Sequence, residues 1–163
     1  LDRQEAIEIL LDHFENPRHR HKMDEPDASM PGGNPGCGDV IMVYLKAGEV
    51  SEPVVDLSWE GEGCTISQAA ASILAEMIHD EHWTPQQILD LDYDDMMDLL
   101  GREVVQTRTR CATLALGTLK AAIRQHVRQR QLAKAGVVAD DISDNDMEAF
   151  GLVVGDEALK PKE

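Results

Sequence analysis

Asn34-Pro35-Gly36-Cys37-Gly38-Asp39, running on into Val40-Ile41-Met42-Val43-Tyr44-Leu45, is the stretch from which both fold and chemistry can be read. Its second half is a short apolar run containing β-branched residues, which predicts a strand. Its first half sets a thiol and a carboxylate two residues apart, with glycine on both sides of the thiol. If Cys37 to Asp39 opens the strand, a period of two puts both side chains on one face. Gly36 and Gly38 carry no Cβ and so permit a tight turn and the close approach of another group. A soft thiolate beside a hard carboxylate is a metal-ligand pair in outline. The plainer alternative is a turn with a buried cysteine and an ordinary aspartate, and Cys-x-Asp alone favours it. The other two cysteines overturn that.

Working outward, residues 54–60 (Val54-Val55-Asp56-Leu57-Ser58-Trp59-Glu60) alternate and predict a second strand. It should pair antiparallel with the first through a loop near Gly48, and Gly61-Glu62-Gly63 should break it. Upstream, residues 3–14 have helical spacing in Ala6, Ile7, Ile9, Leu10, Leu11 and Phe14, and Asn16-Pro17 ends the helix. Residues 18–35 are polar and rich in Pro and Gly, so they read as a long loop or at most a short edge strand. His19 and His21 sit there and could bind metal, although two surface histidines in a charged loop favour the plain reading. Downstream, residues 65–79 are helical, with Ala69, Ala70 and Ala71 small enough to let a neighbouring backbone come close. Thr84-Pro85 caps a short helix to Leu89. Residues 94–100 predict another, closed by Gly101. Residues 103–110 read as extended or irregular. Cys111 then opens a long helix from 112 to about 134, which Gly136 ends. The resulting class is α+β, a small, mostly antiparallel sheet packed against helices. The organisation is one domain over 1–135 and an acidic tail over 136–163.

Among 163 residues, 31 are acidic and 15 basic, a formal charge of −16. That excludes a phosphate-backbone binder, and no nucleic-acid partner is expected. No apolar run reaches the roughly 18 residues of a membrane span, and the first residues are no signal peptide. A cytoplasmic location with no membrane partner follows as an expectation. Three cysteines are an odd number and read as thiols for metal or sulfur chemistry, not as a disulfide framework.

Cys64 and Cys111 each stand directly before a predicted helix. There the unpartnered N–H groups and the helix dipole favour a thiolate. Together with Cys37 and Asp39 they make a set of three thiolates and one carboxylate, suited to zinc or an iron–sulfur cluster. No Cys-x-x-Cys knuckle is present, so distant segments must assemble the site.

Four blocks carry a family resemblance. They are Asp12-His13-Phe14-Glu15-Asn16-Pro17-Arg18, Asn34-Pro35-Gly36-Cys37-Gly38-Asp39, Gly61-Glu62-Gly63-Cys64-Thr65-Ile66-Ser67 and Cys111-Ala112-Thr113-Leu114-Ala115. In this order they resemble the iron–sulfur assembly scaffold family of IscU, SufU and the N-terminal domain of NifU, over roughly residues 3–130. The resemblance implies an α/β sandwich in which Cys37, Asp39, Cys64 and Cys111 converge at one exposed end. It also implies that these positions bind zinc or a nascent [2Fe–2S] cluster and receive sulfur from a cysteine desulfurase for apo iron–sulfur proteins. Arg110 stands where IscU and NifU proteins carry His, which resembles the SufU branch. SufU proteins usually carry an insertion ahead of the third cysteine, and residues 94–110 are too short to hold it. A Leu-Pro-Pro-Val-Lys segment is absent; Glu103-Val104-Val105-Gln106-Thr107-Arg108 stands instead.

Three readings follow. The first is a non-enzymatic scaffold on which a cluster is built and passed on, with Asp39 as the harder ligand that keeps it exchangeable. The second is an enzyme, a zinc-dependent sulfurtransferase that builds no cluster. The third is a structural-zinc module without sulfur chemistry. Cys111 and Cys64 are the sulfur-acceptor candidates. Finally, Lys120, Arg124 and Arg128 recur every four residues and predict one basic stripe, either a solvated face or a dock for an acidic partner or for the tail.

Overall fold

The structure, a computed structural model, describes residues 2–36 and 38–136. Helix α1 (Arg3–Glu15) leads to strand β1 (Ala28–Asn34), β2 (Asp39–Lys46) and β3 (Asp56–Glu62). Helices α2 (Thr65–Asp80), α3 (Pro85–Asp90), α4 (Tyr93–Leu100) and α5 (Arg102–Val105) follow. A 3-10 turn (Gln106–Arg108) then leads into α6 (Thr109–Lys134). The sheet is antiparallel in the order β1-β2-β3.

β2 sits between the other two strands and buries Asp39, Ile41, Val43 and Leu45 on one face. That face meets the helices: α6 lies on β1 and β2, and α2 on β3 and α6, with α1 on the far side of α2. Ala69, Ala70 and Ala71 are all buried in α2, as their small size predicts. Leu116, Leu119 and Ile123 complete the core from α6. Asp39 therefore stands in a row otherwise made of core aliphatics. A carboxylate there needs partners, because burying it unpaired is costly.

The β2–β3 hairpin, the starts of α1 to α4 within a residue, and the Thr84 cap match the sequence reading. Asp2 and Glu5 form a capping box on α1, as do Thr84 and Gln87 on α3. Four expectations are corrected. Residues 28–34 form a full edge strand, in register with β2 from Ala28 opposite Leu45 to Asn34 opposite Asp39. Pro31 is tolerated on an edge, and Gly32 is required because a Cβ there would overlap Thr118 Oγ1 of α6. β3 runs on through Gly61, where a Cβ would come 2.6 Å from the Val40 carbonyl oxygen. Residues 103–110 are helical instead of extended, with Val105 buried, so α6 begins at Thr109 and Cys111 lies inside its first turn. The basic stripe is not a solvated face: Lys120 and Arg128 are buried and Arg124 alone of the three is exposed. Lys120 instead lies over the Tyr93 ring, 4.9 Å from its centroid. The acidic tail read at 136–163 lies, from 137 on, outside the described residues.

His13 gives the fold a pH dependence. It is buried, with Nδ1 2.7 Å from Ser72 Oγ, and that oxygen also accepts the Arg18 backbone N–H at 2.8 Å. Neutral His13 lets the Ser72 hydroxyl donate to Nδ1. Burial, reinforced by the nearby Arg18 charge, lowers its pKa from the ordinary value. Burial, followed by His79 stacked at 3.8 Å, lowers that of His19 as well. A depressed folded pKa means that the unfolded chain takes up the proton first. Stability is then full above the unfolded histidine value of about 6.5 and falls as pH drops below it. Denaturant melts across this range should show the loss, and His13→Asn should flatten it. An unaltered pH slope in the variant would remove His13 as the cause.

Candidate metal centre

Three elements end at the same place. The antiparallel β1–β2 pairing sets Asn34 opposite Asp39 at the strand ends. β3 ends at Glu62, and Gly63 turns the chain so that Cys64 becomes the N-cap of α2. The first turn of α6 supplies Cys111. A carboxylate oxygen of Asp39 and the sulfurs of Cys64 and Cys111 all lie within 4.8 Å of one another. Asp39 and Cys111 are each 1% exposed, while Cys64 is half-buried. The described part of the cluster is thus more enclosed than the resemblance implies.

Hydrogen bonds fix the carboxylate. Cys64 N–H donates to Asp39 Oδ1 at 2.8 Å. The Ser67 hydroxyl is 3.2 Å from the same oxygen and 3.0 Å from the Cys64 carbonyl. Asp39 Oδ2 faces the Cys64 sulfur at 4.0 Å. The Cys64 side chain makes no cap bond to α2, so Asp39, reaching in from β2, satisfies the helix start and meets its positive dipole end. Asn34, also buried, donates its Nδ2 amide to Cys111 Sγ at 3.6 Å. Such outer hydrogen bonds orient ligands and tune their donor strength.

Gly63 makes the close approach possible. Its φ is 152°, and a Cβ there would overlap Asp39 Oδ1. Gly63→Ala should therefore push the carboxylate off the sulfurs and weaken zinc affinity by about tenfold or more, the scale of other supporting-shell changes. Competition against a chromogenic chelator measures it. Parental affinity in the variant would show that the Gly63 contact does not hold Asp39 in place.

Two sulfurs and one carboxylate oxygen at these separations form a donor set that fits zinc or iron in chemistry and proximity. Cys37, the fourth residue named from sequence, lies outside the described residues. Arg110 is exposed on α6 next to Cys111. His19 stacks on His79, and neither it nor His21 belongs to the cluster. Sequence reasoning passed over Asn34, Ser67 and Gly63 as participants, although all three stand in the quoted motif blocks. It also missed a pocket of about 310 Å³ beside the Gly63 turn, lined by Phe14, Arg20, Trp59 and Gln68. Phe14, exposed on α1 together with Ile9 and Leu11, carried no local sign of it.

Comparison with known proteins points the same way. The family model of the NifU-like N terminal domain matches residues 5–133. The iron-sulfur cluster assembly scaffold protein IscU of Aquifex aeolicus (strain VF5) is 31% identical over 137 residues, 83% of this chain and 85% of that protein. The zinc-dependent sulfurtransferase SufU of Bacillus subtilis (strain 168) is 30% identical over 132 residues, 71% of this chain and 87% of that one. In fold, the crystal structure of a nitrogen-fixing NifU-like protein (N-terminal) from Brucella abortus superposes with a TM-score of 0.63 at 21% identity, covering 77% of this chain and 98% of that one.

Proposed function

Because the chain belongs to the NifU-like N terminal domain family, we propose that it is an iron–sulfur cluster assembly scaffold. In this reading Cys37, Asp39, Cys64 and Cys111 hold zinc or a nascent [2Fe–2S] cluster, and sulfur comes from a cysteine desulfurase. The observation that carries it is the meeting of Asp39, Cys64 and Cys111 within 4.8 Å, from three elements far apart in sequence. In this reading the functional unit is residues 1–135, followed in sequence by the acidic tail at 136–163. Among the described residues no helix is long and apolar enough to cross a membrane.

A bound metal or cluster supplies Lewis acidity that favours the thiolate form of its cysteines. The chain's own residues do the rest. Cys64, half-buried, is the more accessible of the two described cysteines and the better placed to meet a donor. Its thiolate attacks the outer sulfur of a donor persulfide. A new S–S bond forms on Cys64, the donor's S–S bond breaks, and the donor departs as a thiolate. Asn34 steadies Cys111 meanwhile, and Ser67 and the Cys64 N–H hold Asp39 in position. Delivery goes to apo iron–sulfur proteins.

Arg110 favours a second reading, a zinc-dependent sulfur acceptor that builds no cluster. A permanently charged guanidinium beside Cys111 is a donor and never a ligand. Anaerobic reconstitution with iron, a cysteine desulfurase and cysteine separates the two. A scaffold develops visible charge-transfer absorption and passes it to apo-ferredoxin. Persulfide on a cysteine without absorption supports the second reading, and neither signal removes both.

A further inference from the structure

A groove of about 940 Å³ runs between the start of α1, the end of α2 and the α4–α5 corner. Met77 lies 13 residues along α2 from Cys64, about 20 Å at the helical rise. Met77, Trp83, Leu91 and Val104 are half-buried flanks of the core that face into it, and Leu99 is exposed at its edge. Trp83 Nε1 donates to Glu81 Oε2 at 2.6 Å, so the indole has its polar edge satisfied and offers apolar surface. An apolar floor with a polar rim is the anatomy of a protein-binding patch.

The rim is predominantly acidic. Asp2, Glu81, Asp95, Asp98 and Glu103 line it against Arg3 and Arg102. Arg102 is engaged by Asp94 and Asp98. Glu81, Asp95 and Glu103 form no ion pair among the described residues. Nor does helix stability explain all of them: Glu81 is the C-cap of α2 and Asp98 stands in the last turn of α4, where the dipole disfavours an anion. The same field repels nucleic acid and anionic lipid.

We propose that this groove docks a basic amphipathic helix of a partner protein, its apolar stripe on the Met77–Trp83–Leu99 floor and its Lys or Arg residues against the acidic rim.

The probe is a fluorescein-labelled synthetic helix with one leucine face and one lysine face, titrated onto the full chain at low salt. Fluorescence anisotropy reports binding, and Trp emission reports contact at Trp83, since Trp59 is buried in the core. Glu81→Lys with Asp95→Lys should weaken binding by about tenfold or more, and Leu99→Ser by about fivefold. Both changes are at exposed positions, so folding is preserved and circular dichroism checks it. The control pair Asp24→Lys with Glu15→Lys makes the same charge change on exposed residues outside the groove and should leave affinity within about twofold. Equal weakening by the control pair, or no effect of Leu99→Ser, would mean general attraction to an acidic protein and overturn the proposal. So would self-association that buries Trp83, which would make a second copy of the chain the occupant.

Discussion

Cys111→Ser is expected to strip the metal and leave the fold standing. Cys111 is enclosed at the start of α6, and Asn34 Nδ2 points at its sulfur. A serine hydroxyl is smaller and can accept that same amide hydrogen. The structural cost is that of a slightly under-filled site with a satisfied polar group, about 1 kcal/mol. The cost to metal is larger. Apparent binding energies of four-ligand zinc sites run to about 10–16 kcal/mol, so one ligand accounts for several, and affinity should fall by about a hundredfold or more. Zinc per chain after gel filtration should drop toward zero. The variant's melting temperature should match that of the parent stripped by a chelator, not fall far below it, since bound metal stabilises only by mass action. A variant that keeps full zinc would remove Cys111 from the ligand set. One that loses zinc and also melts well below stripped parent would make Cys111 a core residue first.

Why the cysteines could be read from sequence, and their supports could not, is a matter of residue frequency and reach. Cysteine occurs three times in 163 residues, so its position before a predicted helix carries information. Asn and Ser are common at turns and helix starts for local reasons. The roles of Asn34 and Ser67 come from partners 77 and 28 residues away, and no local pattern encodes them.

The fold divides in the same way. β2 announces itself by a short β-branched apolar run, β3 by alternation, and α2 and α6 by helical periodicity joined to length. β1 does not, because Pro31-Gly32-Gly33 is the composition of a loop. Its strand form depends on pairing with β2 and on Thr118 filling the space a Gly32 side chain would need. Both are tertiary facts. Residues 103–110 fail for a related reason: short helical pieces are set by packing, here by burial of Val105, more than by propensity. The charge stripe misled because a spacing of four was taken to mean exposure. Lys120 shows that a long cation can bury its stem and place its head on an aromatic ring.

Asp39 permits a separation that the cysteines do not, because its two oxygens have different tasks. Oδ1 takes the Cys64 N–H and lies near Ser67, whereas Oδ2 faces the Cys64 sulfur. Asp39→Asn, with its carbonyl turned to Oδ1's place, keeps the acceptor for Cys64 N–H and loses the anionic ligand. Asp39→Ala loses both. The alanine variant should therefore be less stable than the asparagine one by about 1–3 kcal/mol, the cost of a buried donor left without an acceptor at the start of α2. Metal release should follow the other oxygen. A carboxylate is the hard, readily exchanged member of a soft set, and without it a reconstituted cluster rests on thiolates alone. Both variants should then transfer their cluster to apo-ferredoxin more slowly than the parent, by a similar factor despite unequal stability. Chemical melts of the apo chains and the time course of transfer are the two measurements. Equal stability of the two variants would remove Asp39 as the cap of α2. Transfer from the asparagine variant as fast as from the parent would show that some other ligand governs release.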